Sequence, residues 1–321
     1  VQNKRILITG GLGFIGFHAV QKWQKENWDI LIIDDLSSNI IDPSNNLLQN
    51  TKIIISDIKS VTAEQIGNID LILHCAAPNG TIAILDHAGN IVKTIIDDAY
   101  WAINMSKEKA CPIIFISTSE VYGDHNGASL SEDSEKILQG SYIIRDEYSH
   151  AKLLSEIILS SISKIDPGFR YQVIRPFNVV GKYQKYQGGH VLPRFVKQAL
   201  NNEPITVYFN GLQHRAFTWV QDAVNAIYLT SITKEHWNHI WNIGNENNKF
   251  SILELSSLVK NLTNSQSEIL FVNPKELHGN NFDDSPEKIP NSQKIRTLLN
   301  WNTTKNVKEI VQEVIEYYNE K

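Results

Sequence analysis

Short apolar runs alternate with longer amphipathic ones through the first half of the chain. Arg5-Ile6-Leu7-Ile8-Thr9, Ile30-Leu31-Ile32-Ile33, Ile53-Ile54-Ile55, Leu71-Ile72-Leu73 and Ile113-Ile114-Phe115-Ile116 are continuous, largely β-branched and bounded by polar residues. That pattern predicts parallel strands covered on both faces. Helix-length segments, such as Phe14 to Glu26 and Asn90 to Ala110, separate the runs. The alternation predicts an α/β fold built on a doubly wound parallel sheet with right-handed crossovers. A sixth strand, Tyr171 to Ile174, follows a predicted helix from about Tyr142 to Ser163. After Arg175-Pro176 the segments shorten and Gly and Asn become denser. Residues 1–176 therefore read as one larger domain, to which a segment of about 221–245 returns. Residues 177–321 read mainly as a smaller α/β domain that grips a ligand against the first, closed by a helix from Val307 to Tyr318.

The turn after the first strand is Thr9-Gly10-Gly11-Leu12-Gly13-Phe14-Ile15-Gly16. Glycines there permit a tight turn and let backbone approach a pyrophosphate, while the following helix supplies N–H groups and a positive dipole. Asp34-Asp35 end the second strand, eighteen residues after Gly16. A carboxylate at that point accepts hydrogen bonds from ribose hydroxyls and repels a 2′-phosphate. Loop and acid together predict a dinucleotide site that takes NAD rather than NADP. Asp57, at the end of the third strand, is placed to meet the adenine edge or to cap the turn that opens at Ile58.

Composition narrows the classes. Of 321 residues, 42% are hydrophobic and 20% charged, which suits a globular protein and not a disordered or coiled-coil chain. A net charge of −5 with scattered arginines leaves no basic stripe for nucleic acid. Cys75 and Cys111 lie in separate strand-like runs and read as reduced thiols. His236 and His239 lack carboxylate or thiol company, so no metal site is predicted. No signal, transit or membrane-spanning run is evident, and a cytoplasmic protein is predicted with no membrane partner.

Candidate chemistry centres on Tyr148-Ser149-His150-Ala151-Lys152, which puts a phenol and an ammonium four apart on one helix face. A neighbouring ammonium lowers a tyrosine pKa and makes the phenol a usable base. Spacing alone does not single out this pair, since Tyr317 and Lys321 repeat it at the C-terminus. Context does. Tyr148 follows the fifth strand, which runs into Ser117-Thr118-Ser119-Glu120, and hydroxyls at the C-terminal edge of a parallel sheet point into its ligand crevice.

These motifs occur in a set order, with His74-Cys75-Ala76-Ala77, Arg175-Pro176-Phe177-Asn178, His190-Val191-Leu192-Pro193-Arg194, Arg215-Ala216-Phe217-Thr218 and Pro286-Glu287-Lys288-Ile289-Pro290-Asn291 among them. Together they resemble the extended short-chain dehydrogenase/reductase family that modifies nucleotide-activated sugars. The resemblance implies NAD held by residues 1–176, at Gly10, Gly13, Phe14, Ile15, Gly16, Asp34, Asp35, Ser37, Ser38, Asp57, Ile58, Ala76 and Ala77, with Tyr148 and Lys152. It implies transient oxidation of the sugar at C4, with Tyr148 as base, Lys152 holding the cofactor ribose and lowering the Tyr148 pKa, and Thr118 bonded to the same hydroxyl. Asn178, Val191, Arg194, Arg215 and Lys288 are the implied substrate-binding positions, and a homodimer through paired helices is the implied assembly.

A C4 ketone opens three routes: epimerisation, 4,6-elimination or loss of a C5 carboxylate. Glu120 favours the last two, since simple 4-epimerases usually lack an acid there, whereas dehydratases and UDP-glucuronate decarboxylases carry one. Ser119-Glu120-Val121-Tyr122-Gly123-Asp124, with Arg145 three before Tyr148, is most similar to the decarboxylases. Against them stand Lys288, where that group carries an arginine able to meet a carboxylate bidentately, and His190-Val191-Leu192-Pro193, which is closer to epimerases and dehydratases. Asp98 with Trp101-Ala102 stands where the family has Asn and Gly-Thr, which implies altered packing beneath the nicotinamide. A non-catalytic nucleotide-binding scaffold is the alternative from another class, and retention of Tyr148, Lys152 and Thr118 argues against it.

Overall fold

Ile6 and Ile8 bury their side chains on one face of a sheet and Leu7 on the other, which is why the run through them is apolar without a break. A computed structural model describes residues 3–138, 140, 142–284 and 287–320; Pro286 of the C-terminal motif and Lys321 lie outside the described residues. Strands β1 (Arg5–Thr9), β2 (Asp29–Asp34), β3 (Thr51–Ile55), β4 (Leu71–His74), β5 (Ile113–Ile116), β6 (Tyr171–Pro176) and β7 (His239–Ile243) form one sheet. Their order is β7-β6-β5-β4-β1-β2-β3, with every pairing parallel. The chain leaves β1 toward β2 on one side and later fills β4 on the other, with Ile8 opposite both Ile32 and Leu73. A crevice opens at the carboxyl ends of strands where the order reverses in this way.

Helices α1 (Phe14–Lys25), α2 (Ile91–Glu108), α3 (Ile144–Ile165), α4 (Val191–Leu200), α5 (Val220–Ile232), α6 (Ile252–Leu262) and α7 (Val307–Asn319) carry most of the remaining apolar surface. Phe17, Val20 and Trp23 of α1 pack with Val224 and Ile227 of α5 on one face of the sheet. Ala99 and Ile103 of α2 and Leu159 of α3 cover the other face. A separate cluster joins Leu192, Phe195 and Val196 of α4 to Leu255 and Val259 of α6 and to Ile310, Val311 and Val314 of α7.

Two readings need correction. The run Ile53-Ile54-Ile55 is not covered on both faces: β3 is the sheet edge, and Ile55 is 58% exposed. The helix predicted from Tyr142 begins at Ile144, where the Asp146 carboxylate accepts the Ile143 N–H at 3.0 Å and closes the first turn. Asp98 meets the Lys59 ammonium at 3.2 Å, and Trp101 Nε1 donates to the Val61 carbonyl at 3.2 Å, so both bind α2 to the turn after β3.

Candidate active site

Backbone shapes one end of the cleft. Gly10 has φ +65°, and a Cβ there would stand 2.8 Å from the Ala76 nitrogen. A Cβ on Gly16 would stand 2.1 Å from the Gly10 carbonyl oxygen. The first turn of α1 is therefore pressed onto the loop that feeds it, and no side chain caps its N-terminus at Gly13. Those uncapped N–H groups, with Ser37, Ser38, Ala76 and Ala77 along the same wall, form a cradle suited to a pyrophosphate.

Other cofactor candidates divide. Phe14 and Ile15 line the cleft. Asp34 is nearly buried, and its carboxylate accepts the N–H groups of Leu12 and Leu36, each at 2.9 Å, so it ties the glycine loop to the end of β2. Burial pushes its pKa up against those two bonds. Asp35 is exposed and accepts from the Ser37 N–H and hydroxyl. Asp57 takes the capping alternative, accepting the Lys59 N–H at 2.9 Å, and Ile58 packs into the core.

The cleft has a volume of about 620 Å³ and continues past Thr118, Ser119, Glu120, Tyr148 and Lys152. Thr118 Oγ1 accepts the Glu120 N–H at 3.2 Å, which leaves its proton for the Tyr148 phenol to which it is bonded. Lys152 Nζ donates to the Ile116 carbonyl at 2.8 Å and lies 4.7 Å from the centre of the Phe115 ring. The phenol pKa is not lowered as the Tyr–Lys spacing predicts. Burial pushes Tyr148 up to about 12, with Thr118 opposing, because desolvation of the phenolate outweighs any partner. Burial also brings Lys152 down to about 8, opposed by the charges of Cys75, Asp98 and Glu156.

Beneath this group Arg175 binds Glu156 through Nε at 3.0 Å and the Tyr122 hydroxyl through Nη1 at 2.8 Å. Glu156 in turn accepts the Ser117 hydroxyl. Glu156 stands one helical turn beyond Lys152, so this buried network fastens α3 to the end of β5.

Side chains shape the other end. Glu120 Oε2 lies 3.2 Å from Lys288 Nζ, and Glu120 Oε1 lies 3.7 Å from Arg145 Nη1. Arg145 is on the cleft wall, whereas Lys288 is buried behind Glu120, beside a small pocket that it shares with Arg145 and Asp146. Arg145 Nη2 donates to the Thr81 hydroxyl at 3.0 Å and reaches the Asp283 carbonyl at 3.4 Å. Asn178, Val191, Arg194 and Arg215 all line the cleft. Arg215 pairs with Asp284 at 3.1 Å, and the Arg194 guanidinium stacks 4.0 Å from the centre of the Tyr208 ring.

Thr81, Asp284, Gln213 and Tyr208 line the same cleft and escaped sequence reasoning. None belongs to a spaced motif. The short helix Thr81–Asp86 that brings Thr81 to the site carries no phosphate-loop or acid–base signature.

The signature described as the NAD dependent epimerase/dehydratase family matches residues 6–244. The chain is 30% identical over 323 residues to a UDP-N-acetyl-alpha-D-glucosaminuronate decarboxylase of Bacillus cytotoxicus, covering 99% of this chain and 98% of that protein. It is 29% identical over 321 residues to UDP-glucuronic acid decarboxylase 1 of Danio rerio, covering 98% of this chain and 73% of that protein. Among solved structures, a UDP-glucose 4-epimerase of Thermotoga maritima bound to UDP-glucose superposes with a TM-score of 0.86 at 23% identity, covering 98% of this chain and 99% of that one. That likeness shows a shared fold.

Proposed function

Because the chain belongs to the NAD dependent epimerase/dehydratase family, we propose that it decarboxylates a nucleotide-activated sugar acid through a C4 ketone. The observation that carries this reading is the Glu120 carboxylate, flanked by Lys288 and Arg145 on the wall that also holds Tyr148. The likeness of nearly the whole of this chain to two uronate decarboxylases supports it.

NAD would be held by the glycine loop, Ser37, Ser38, Ala76, Ala77 and Lys152. When bound in its oxidised form, it supplies the acceptor for the two electrons taken from C4 and a positive charge that favours the phenolate. Tyr148 receives the proton of the C4 hydroxyl, and the Thr118 hydroxyl, its own acceptor site filled by the Glu120 N–H, donates toward the same centre. A C4 ketone makes the C5 carboxylate part of a β-keto acid. Breaking the C5–C6 bond then releases carbon dioxide and leaves its electron pair as a C4 enolate, which Tyr148 and Thr118 stabilise by hydrogen bonding. A proton taken up from solvent closes C5, and return of the two electrons to C4, with the proton that Tyr148 held going back to the C4 oxygen, completes a cycle with no net oxidation. Glu120, pinned between Lys288 and Arg145, orients the sugar for the bond cleavage.

Residues 1–176 and 221–245 form the cofactor-binding part in this reading, and the remainder of 177–321 grips the nucleotide sugar. Asn178, Arg194 and Arg215 serve its diphosphate, as guanidinium groups suit phosphate oxygens. Two copies pair through α2 and α3, where Tyr100, Leu154 and Ile157 are exposed apolar groups, in a cytoplasmic homodimer. A 4-epimerase is the second reading, favoured by His190-Val191-Leu192-Pro193 at the start of α4.

The deciding experiment incubates the protein with NAD and UDP-glucuronate, UDP-N-acetylglucosaminuronate, UDP-glucose and dTDP-glucose, measuring released carbon dioxide and the sugar product. Carbon dioxide and a pentose nucleotide from a uronate are the expected outcome. A C4 epimer or a 4-keto-6-deoxy sugar without carbon dioxide overturns it.

A further inference from the structure

We infer that Arg145 is the group by which the cleft selects a sugar bearing a carboxylate over its neutral counterpart. The inference rests on the reading just given and assigns its specificity to a residue other than Lys288. Lys288 carries charge, but it stands behind Glu120 and off the main cleft wall. Arg145 is on that wall, three residues before Tyr148 and so on the same face of α3.

Its guanidinium is under-used. Nη2 has the Thr81 hydroxyl and the Asp283 carbonyl, but Nε is buried and has no hydrogen-bond acceptor among the described residues. Nη1 stands 3.7 Å from Glu120, within Coulombic reach and beyond a hydrogen bond. Glu120 is the one carboxylate within 4.0 Å of Arg145 among the described residues, and it also faces Lys288 at 3.2 Å. Both cations face Glu120. A donor left buried without a partner is unfavourable, and a planar fork accepts a second carboxylate bidentately where an ammonium offers one point of charge. A sugar C6 carboxylate meets that demand, supplying two acceptors and a negative charge to the Arg145 guanidinium. A C6 hydroxymethyl group supplies only a single weak acceptor and no charge.

The test compares the parent protein, Arg145→Met and Arg145→Lys, each loaded with NAD. The dissociation constants of UDP-glucuronate, UDP-glucose and UDP are measured, together with kcat and KM for carbon dioxide release. The parent is expected to bind UDP-glucuronate about 10- to 100-fold more tightly than UDP-glucose, the range of a charge-assisted pair. Arg145→Met should bring that ratio close to one while UDP affinity stays at the parent level, which also shows that the fold is intact. Arg145→Lys should recover part of the ratio, because charge returns without the fork.

An unchanged ratio in Arg145→Met overturns the inference. So does an equal weakening toward both sugars, which would make Arg145 a mere holder of Glu120. The two readings fail separately. A parent that prefers the uronate yet releases no carbon dioxide refutes the reaction and keeps the recognition. A parent that releases carbon dioxide, with an Arg145→Met variant that still discriminates, refutes the recognition and keeps the reaction.

Discussion

At the cofactor end of the cleft the wall is mostly main chain, and at the sugar end it is mostly side chain. Glycine loop, helix start and the Ala76–Ala77 turn come from neighbouring strands β1 and β4, whose register fixes them. Thr81, Glu120, Arg145, Asp283 and Lys288 come from segments scattered over more than 200 positions of sequence, joined only by polar contacts. The first kind of site tolerates almost no added atom and is indifferent to which apolar residues surround it. The second tolerates backbone variation and depends on each charge. One scaffold can therefore keep its redox apparatus while the chemistry applied to the sugar diverges.

Tyr148 stands where the two ends meet, and its replacement should have the largest effect. Tyr148→Phe is expected to lower turnover by about 10²–10⁴-fold, the usual worth of a positioned acid–base group. Affinity for NAD and for UDP should be nearly unchanged, since the ring keeps its packing against Ile84, Ile91 and Ile95. Steady-state rates with equilibrium binding check both halves. Retained turnover would show that the proton leaves by another route and would break the division between a redox end and a sugar end.

Gly16→Ala tests the cofactor end alone. The added methyl carbon would meet the Gly10 carbonyl oxygen at 2.1 Å, and neither partner is a flexible side chain. The loop must open, at a cost typical of overpacking, about 1–3 kcal/mol. NAD affinity should fall by an order of magnitude or more, with a lowered melting temperature, while UDP affinity changes less because Arg194 and Arg215 lie on other segments. Calorimetry with each ligand separates the two. Equal losses for NAD and UDP would mean that the ends are one cooperative unit.

This contrast also explains what a reader of the sequence can see. Four of the strands, β1, β2, β4 and β5, were evident as uninterrupted apolar runs, because both sides of the sheet are covered there; β3 misled because an edge strand can be apolar without being enclosed. The glycine loop was legible since its constraint is local and each glycine occupies a fixed spacing. Glu120, Tyr148 and Lys152 were legible by motif and by their place after β5. The partnership of Arg145 with Thr81 was not, because nothing within either segment encodes a meeting of residues 64 apart. Nor was the direction of the Tyr148 pKa. Counting a lysine one turn away omits the cost of enclosing a phenolate, and in this cleft, where Lys152 turns to the Ile116 carbonyl, enclosure dominates.

The smallest effect concerns two histidines that brace these ends from outside the chemistry. His74 is buried beneath the cofactor end, bonded to Thr9 Oγ1 at 2.8 Å and stacked on Phe115. His18 fastens α1 to the loop after β6 by contact with the Lys182 carbonyl at 3.0 Å and with Gln221 Nε2 at 2.9 Å. Burial, chiefly, lowers His74 to about 3 and His18 to about 4, from an ordinary value of 6.5. Below pH 6.5 the unfolded chain therefore takes up protons that the folded chain refuses. Stability is complete above that pH and falls as pH drops toward 4, by up to about 1.4 kcal/mol per pH unit for each histidine. Urea unfolding between pH 6.5 and 5, above most carboxylate titration, should show this slope in the parent. His18→Gln removes one histidine's share of it and His74→Asn another, leaving the smaller shares of His190, His239 and His278, which burial also lowers. If His18→Gln leaves the slope unchanged, the brace at His18 opens before the protein unfolds, and the loop beyond β6 belongs to the adaptable sugar end rather than to the rigid frame.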